Sequence, residues 1–167
     1  SVAANSTGTI AYVTNSGGNT VSIIKYNGKG APAVTNVLVS ASPTSVKTSD
    51  SGNTAIVYSS GGVISIIDAS GSTPTVTQVP GSHISYGNYP GFVAISSDGK
   101  TAFVTEHDAN QVAIFNTATP AADPKYPTFD DYPHSIAALR NGALAFTVAH
   151  NALYVIDAKT GQAAQIG

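Results

Sequence analysis

Pro90-Gly91-Phe92-Val93-Ala94-Ile95-Ser96-Ser97-Asp98-Gly99-Lys100-Thr101-Ala102-Phe103-Val104-Thr105 is the stretch whose reading decides the fold. Two short runs of β-branched, aromatic and small apolar residues, 92–95 and 101–105, flank a polar turn that ends in glycine. That order predicts two antiparallel strands joined by a tight turn. The same frame occurs four times, anchored on Gly8, Gly52, Gly99 and Gly142 at separations of 44, 47 and 43 residues. Three positions after each glycine stands an alanine (Ala11, Ala55, Ala102, Ala145), followed by a bulky residue (Tyr12, Ile56, Phe103, Phe146). Six positions before it stands Val2, Val46, Val93 or Ile136, and nine before it, in the last three copies, Pro43, Pro90 or Pro133.

Outward from this hairpin, each copy adds an apolar third run: 21–24, 64–67, 112–115 and 153–156. A fourth run is clearest at 33–39 and 75–79. No segment sustains a helical period. Four short antiparallel strands in a repeat of ~40–45 residues predict a propeller blade. The expected architecture is therefore all-β: a single β-propeller domain over 1–167, with four four-stranded blades at about 1–42, 43–89, 90–132 and 133–167. The small alanine beside a large residue suits blade faces that must approach closely.

Composition narrows the function classes. Charged residues are 10% of the 167, against ~25% in average soluble domains. The polar surface must come from Ser, Thr, Asn, Gln and Gly, a balance that points outside the cell, to a secreted or cell-surface protein. The net charge of -2 leaves no basic footprint for nucleic acid or for anionic membranes. The chain lacks cysteine, which excludes disulfides and thiolate metal sites. It also lacks methionine and begins at Ser1, as a processed product or a fragment would. No apolar run approaches the ~18 residues of a membrane span.

Ala11-Tyr12-Val13-Thr14-Asn15, with Gly18-Asn19-Thr20-Val21-Ser22-Ile23-Ile24 after it, resembles the repeat of YVTN-type β-propellers. The stretch 90–105 resembles it more fully, and the likeness runs through nearly the whole chain. The resemblance implies the propeller fold. It also implies a choice among surface-layer and other extracellular proteins, binding proteins, and relatives of lactonases. Such propellers commonly have about seven blades. Three arrangements follow for a four-blade chain: a closed four-bladed ring, part of a larger ring, or a ring completed by another chain, whether a homo-oligomer or other blades.

In a propeller, blade-joining loops and the loops between second and third strands emerge on one side. His83, His107, His134 and His150 all fall in or beside such loops, and so should share a face. Glu106 and Asp108 flank His107; Asp130 and Asp131 precede Pro133-His134; Tyr86, Tyr89, Phe129 and Tyr132 lie in the same segments. The candidate ligand-binding residues are His83, Tyr86, Tyr89, Glu106, His107, Asp108, Asp131, Tyr132, His134 and His150. Aromatic, carboxylate and imidazole groups together suit a protein or carbohydrate partner, held by stacking and hydrogen bonds. No cofactor is expected; a divalent metal would fall to His107 and His134. No nucleophile elbow, zinc-protease helix, phosphate loop or dinucleotide fingerprint is present.

The leading expectation is a non-catalytic binding or scaffold module. The alternatives are a lactonase- or lyase-like enzyme working at the same face, and a structural subunit whose blades complete a larger ring. Asn5-Ser6-Thr7 fits the N-glycosylation acceptor pattern. Asp50, Asp68, Asp98, Lys100, Arg140, Asp157 and Lys159 fall in short turns of the opposite face and read as turn chemistry.

Overall fold

A computed structural model describes residues 1–79 and 91–166, so His83, Tyr86 and Tyr89 lie outside the described residues. β1 (Val2–Ala4), β2 (Ile10–Asn15), β3 (Thr20–Lys25) and β4 (Ala33–Leu38) form the first antiparallel sheet in that order. β5 (Pro43–Thr48), β6 (Thr54–Ser59), β7 (Val63–Asp68) and β8 (Thr75–Gln78) form the second. β9 (Val93–Ile95), β10 (Thr101–Glu106) and β11 (Gln111–Asn116) form the third. β12 (Pro133–Ala138), β13 (Leu144–Ala149), β14 (Ala152–Asp157) and β15 (Ala163–Gln165) form the fourth. β1 packs on β5, β5 on β9 and β9 on β12, whereas β4 and β8 barely touch, so the sheets fan outward from their first strands. The chain is an all-β propeller of four blades.

One blade departs from the expected four strands. On the outer side of β11, among the described residues, only isolated bridges form, Gln111 with Thr128 and Ile114 with Lys125. The cause is local: Pro124 and Pro127 have no N–H to give the ladder. The carbonyl of Pro127 still accepts from Val112 N–H at 3.0 Å, and Lys125 exchanges both bonds with Ile114.

Strand alternation gives every blade a leading face, toward the next blade, and a trailing face, toward the one before. Tyr12, Val21 and Ile23 of the first leading face bury with Val46, Ala55, Val57 and Ile67 of the second trailing face. Ile56, Tyr58, Ile64 and Ile66 then meet Val93, Ala102, Val104 and Phe115. Phe103, Val112 and Ile114 meet Ala145 and Ile156. The repeated alanine thus lies under the preceding blade's large residues, as its size requires. Tyr12 also sends its hydroxyl to the Gly52 carbonyl at 2.5 Å, and burial pushes that phenol up to about 12.

A second element of cohesion runs through the turns between first and second strands. Ser6 N–H donates to Asp50 O (3.1 Å), Asp50 N–H to Ser97 O (2.9 Å), and Ser97 N–H to Arg140 O (2.8 Å). These four residues stand at one repeat position, two before each anchor glycine. Asp50 and Arg140 add an ion pair, so these two charges link turns of different blades. The glycines sit where blades touch. A Cβ on Gly142 would stand 2.8 Å from Ser96 Cβ, and one on Gly52 3.0 Å from Asn5 Cβ and Ile10 Cβ, whereas Gly8 faces nothing within 4 Å. Gly8 and Gly142 share a left-handed φ, +70° and +68°. Gly142→Ala is therefore expected to cost on the order of 2 kcal/mol, and Gly8→Ala only the backbone strain, about 1 kcal/mol. Urea unfolding of the two dilute variants checks this; equal losses would mean the blade contact at Gly142 is not tight.

Asn5 is only 6% exposed at the same junction. Its Nδ2 donates to Thr7 Oγ1, Thr9 Oγ1 and Ser51 O, and its Oδ1 accepts from the N–H groups of Thr9 and Ile10. In the folded chain the acceptor pattern at Asn5 is thus occupied as a turn-organising side chain, not displayed for a glycan.

Candidate functional site

The rim between the third and fourth blades is built by three short backbone devices. After β10 the chain makes one 3-10 turn, His107–Ala109, closed by Asn110 in the left-handed region, whose N–H reaches His107 O at 3.1 Å. Asparagine tolerates that conformation, and the turn sets His107 at the sheet's end. β13 and β14 are joined by only His150 and Asn151, with His150 at φ 52°. The third device is a bulge. Pro133 pairs Ala149 and Ser135 pairs Val148, so His134 is the extra residue between them and is exposed. β5 carries the same irregularity at Pro43-Thr44-Ser45. A Pro-x-Ser step opening the first strand was the readable signal for it: proline cannot pair through its N–H, and a bulge re-aims the residue beside it.

These devices bring side chains together from separate loops. His107 stacks on Tyr132 with ring centroids 4.1 Å apart and 29° between planes. His134 meets the Tyr132 ring edge-on at 4.6 Å, and lies 6.3 Å from His107. Asp108 Oδ1 accepts from His107 Nδ1 at 2.8 Å. On the adjoining turn His150 Nδ1 donates to Asp131 Oδ2 at 2.7 Å. Asp131 is held below the usual carboxylate range, first by the backbone N–H of Tyr132 and then by His150 and the charge of His134. Beside this pair opens a cleft of about 510 Å³, lined by Asp130, Asp131, His150, Asn151 and Tyr154 among others.

Of the residues expected at the site, His107, Asp108, Asp131, Tyr132, His134 and His150 converge on this rim. Glu106 does not join them. It is 1% exposed at the end of β10, beneath the rim, and Gln111 donates to one of its oxygens while Oε1 has no hydrogen-bond partner among the described residues. Burial, opposed by the Gln111 bond, pushes its carboxyl up to about 7. Both faces of β10 are buried from Ala102 to Glu106, so strand alternation in the sequence could not separate Glu106 from the exposed rim residues that follow it. Phe129 is also core, 8% exposed and edge-on to Tyr154 at 5.0 Å. Among the described residues no three histidine or carboxylate side chains gather as a metal set would. His107 and His134 both contact the Tyr132 ring. The rim offers ring faces for stacking, imidazole donors and two carboxylate acceptors on an open surface.

Fold and rim together describe a propeller blade array with a polar, aromatic edge. Among solved structures, the chain is similar to Kuenenia stuttgartiensis hydrazine synthase, with a TM-score of 0.72 and 18% identity over 99% of this chain and 48% of that one. The chain thus spans about half the length of that structure, and at this identity the likeness concerns the fold alone. No family model and no curated protein matches the chain.

Proposed function

We propose that this chain is a YVTN-type propeller module, secreted or displayed at the cell surface, that binds a protein or carbohydrate partner without catalysing a reaction on it. The observation that carries the reading is the convergence of His107, Tyr132, His134 and the His150–Asp131 pair, from three separate loops, onto one open rim. Aromatic rings beside charged and neutral hydrogen-bonding groups recognise sugars and peptide loops through the same two interactions. The low charge and hydroxyl-rich surface support an extracellular setting.

The test is to screen the folded chain against glycan and peptide arrays and to repeat the positive spots with variants. His134→Ala and His150→Ala remove exposed groups, and each is expected to weaken binding by about tenfold, ~1.4 kcal/mol, while shifting the melting midpoint by no more than about 2 °C. His107→Ala is expected to weaken binding as well, and to lower the midpoint further, because its ring is stacked on Tyr132. Array binding that persists unchanged in His134→Ala and His150→Ala would place the ligand elsewhere and refute the reading.

A further inference from the structure

The three junctions inside the chain share one design, and the two outer blades each present half of it. On the first trailing face, Val2 and Val34 are 67% and 57% exposed, although Val46 and Val93, at the repeat position of Val2, are 1% and 2% exposed. Ala11, Val13 and Ile24 are half-buried there, whereas their counterparts Ala55, Val57 and Ile67 are fully buried. On the fourth leading face, Leu153 and Val148 are 41% and 37% exposed, against 0% and 1% for Val21 and Ile64 at the position of Leu153. Phe146 and Val155 are only half-buried beside them. Among the described residues no packing comparable to the internal junctions joins the fourth sheet to the first.

The turn ladder ends the same way. Arg140 N–H, last in the series of donors, and Ser6 O, first in the series of acceptors, have no hydrogen-bond partner among the described residues. Gly8 faces open space, while Leu139 and Leu144 hold the positions that, in the other blades, touch the next anchor glycine. The acceptor edge at one end of the chain is therefore complementary, position by position, to the donor edge at the other.

We infer that these faces are filled by a second copy of this chain, arranged head to tail: the leading face of each fourth blade packs on the trailing face of the partner's first blade. The pairing continues an interface the chain already makes three times. It supplies both missing halves at once and closes eight blades around one axis, with the twofold on that axis. A heterologous contact that closes after two copies leaves no free face, whereas one that fails to close would grow without limit. The faces left open on a lone chain are apolar and contiguous, the kind of surface that soluble proteins cover.

Light scattering on the purified chain decides the matter. The expected mass is twice the 16.8 kDa of one chain. Leu153→Asp and Val2→Asp, at opposite ends, are each expected to give folded monomers with an unchanged far-ultraviolet dichroism spectrum. Mixing them restores one intact junction and is expected to recover a weak dimer, because both charges then fall in one junction and the other carries neither. Should either aspartate variant fail to fold, Leu153→Ala and Val2→Ala serve instead, with dissociation constants raised at least about tenfold. A wild-type monomer at every concentration overturns the inference. So does a dimer indifferent to Val2→Asp, which would mean that two fourth blades face each other, and so does an open-ended series of larger species.

Discussion

Phe103→Ala is expected to lower the unfolding free energy by about 3–5 kcal/mol, the usual cost of deleting a fully buried aromatic ring. Phe103 is 0% exposed and lies in the cluster that holds the third blade against the fourth. The change would empty a space lined by Val112, Ile114, Ala145 and Ile156, on β-strands tied into two ladders and so unable to collapse inward cheaply. Phe146 is the same residue type at the same repeat position, one blade later, and lies half-buried on a face that no other blade covers among the described residues. In dilute protein Phe146→Ala is therefore expected to cost about 1 kcal/mol, from partial loss of apolar burial. Equilibrium urea unfolding of both variants at low protein concentration separates the cases, with the midpoint shift of Phe103→Ala at least twice that of Phe146→Ala. Equal shifts would contradict the unequal burial on which the account of the blade junctions rests. Raising the concentration adds a second readout, since a paired Phe146 would become as costly to delete as Phe103.

The propeller was legible because its causes are local and repeated. Gly99 needs the left-handed turn, Ala102 must sit under the preceding blade, and Phe103 must fill the next junction; each requirement recurs at a fixed spacing and so leaves a period in the sequence. The third blade's weak fourth strand was less legible, because Pro124 and Pro127 act on hydrogen-bond count without altering the apolar pattern around them. The rim was legible as a side, not as a geometry. Topology alone puts His107, His134 and His150 on one face, but the stack of His107 on Tyr132 depends on a bulge at His134 and a left-handed Asn110, each set by a few degrees of backbone. The openness of the array was illegible for a different reason. Val2 and Val46 look alike in sequence, and only the presence of a neighbour makes one exposed and the other buried.

Glu106 provides the second large effect, and its sign follows from burial. A carboxyl raised from 4.5 to about 7 in the folded chain holds its proton more tightly there than in the unfolded chain. Stability from this group is complete below the unfolded value of 4.5 and is lost as pH rises through about 7. The loss is on the order of 3 kcal/mol, at ~1.4 kcal/mol for each tenfold change in proton affinity. The cause is visible in the fold: one oxygen accepts from Gln111, while Oε1 is buried and has no hydrogen-bond partner among the described residues. Glu106→Gln keeps the shape and the acceptor for Gln111 but cannot ionise. The variant is expected to match the wild type near pH 4.5, to lack its decline between pH 4.5 and 7, and to exceed it by about 2–3 kcal/mol at pH 8. Urea midpoints across that range measure the difference. A tyrosine titration gives a separate reading, because the Tyr126 phenol is raised by burial first and by the Glu106 charge second, so it should titrate lower in the variant. A wild-type stability that instead rose from pH 4.5 to 7 would mean that the Glu106 carboxylate has a favourable partner in solution.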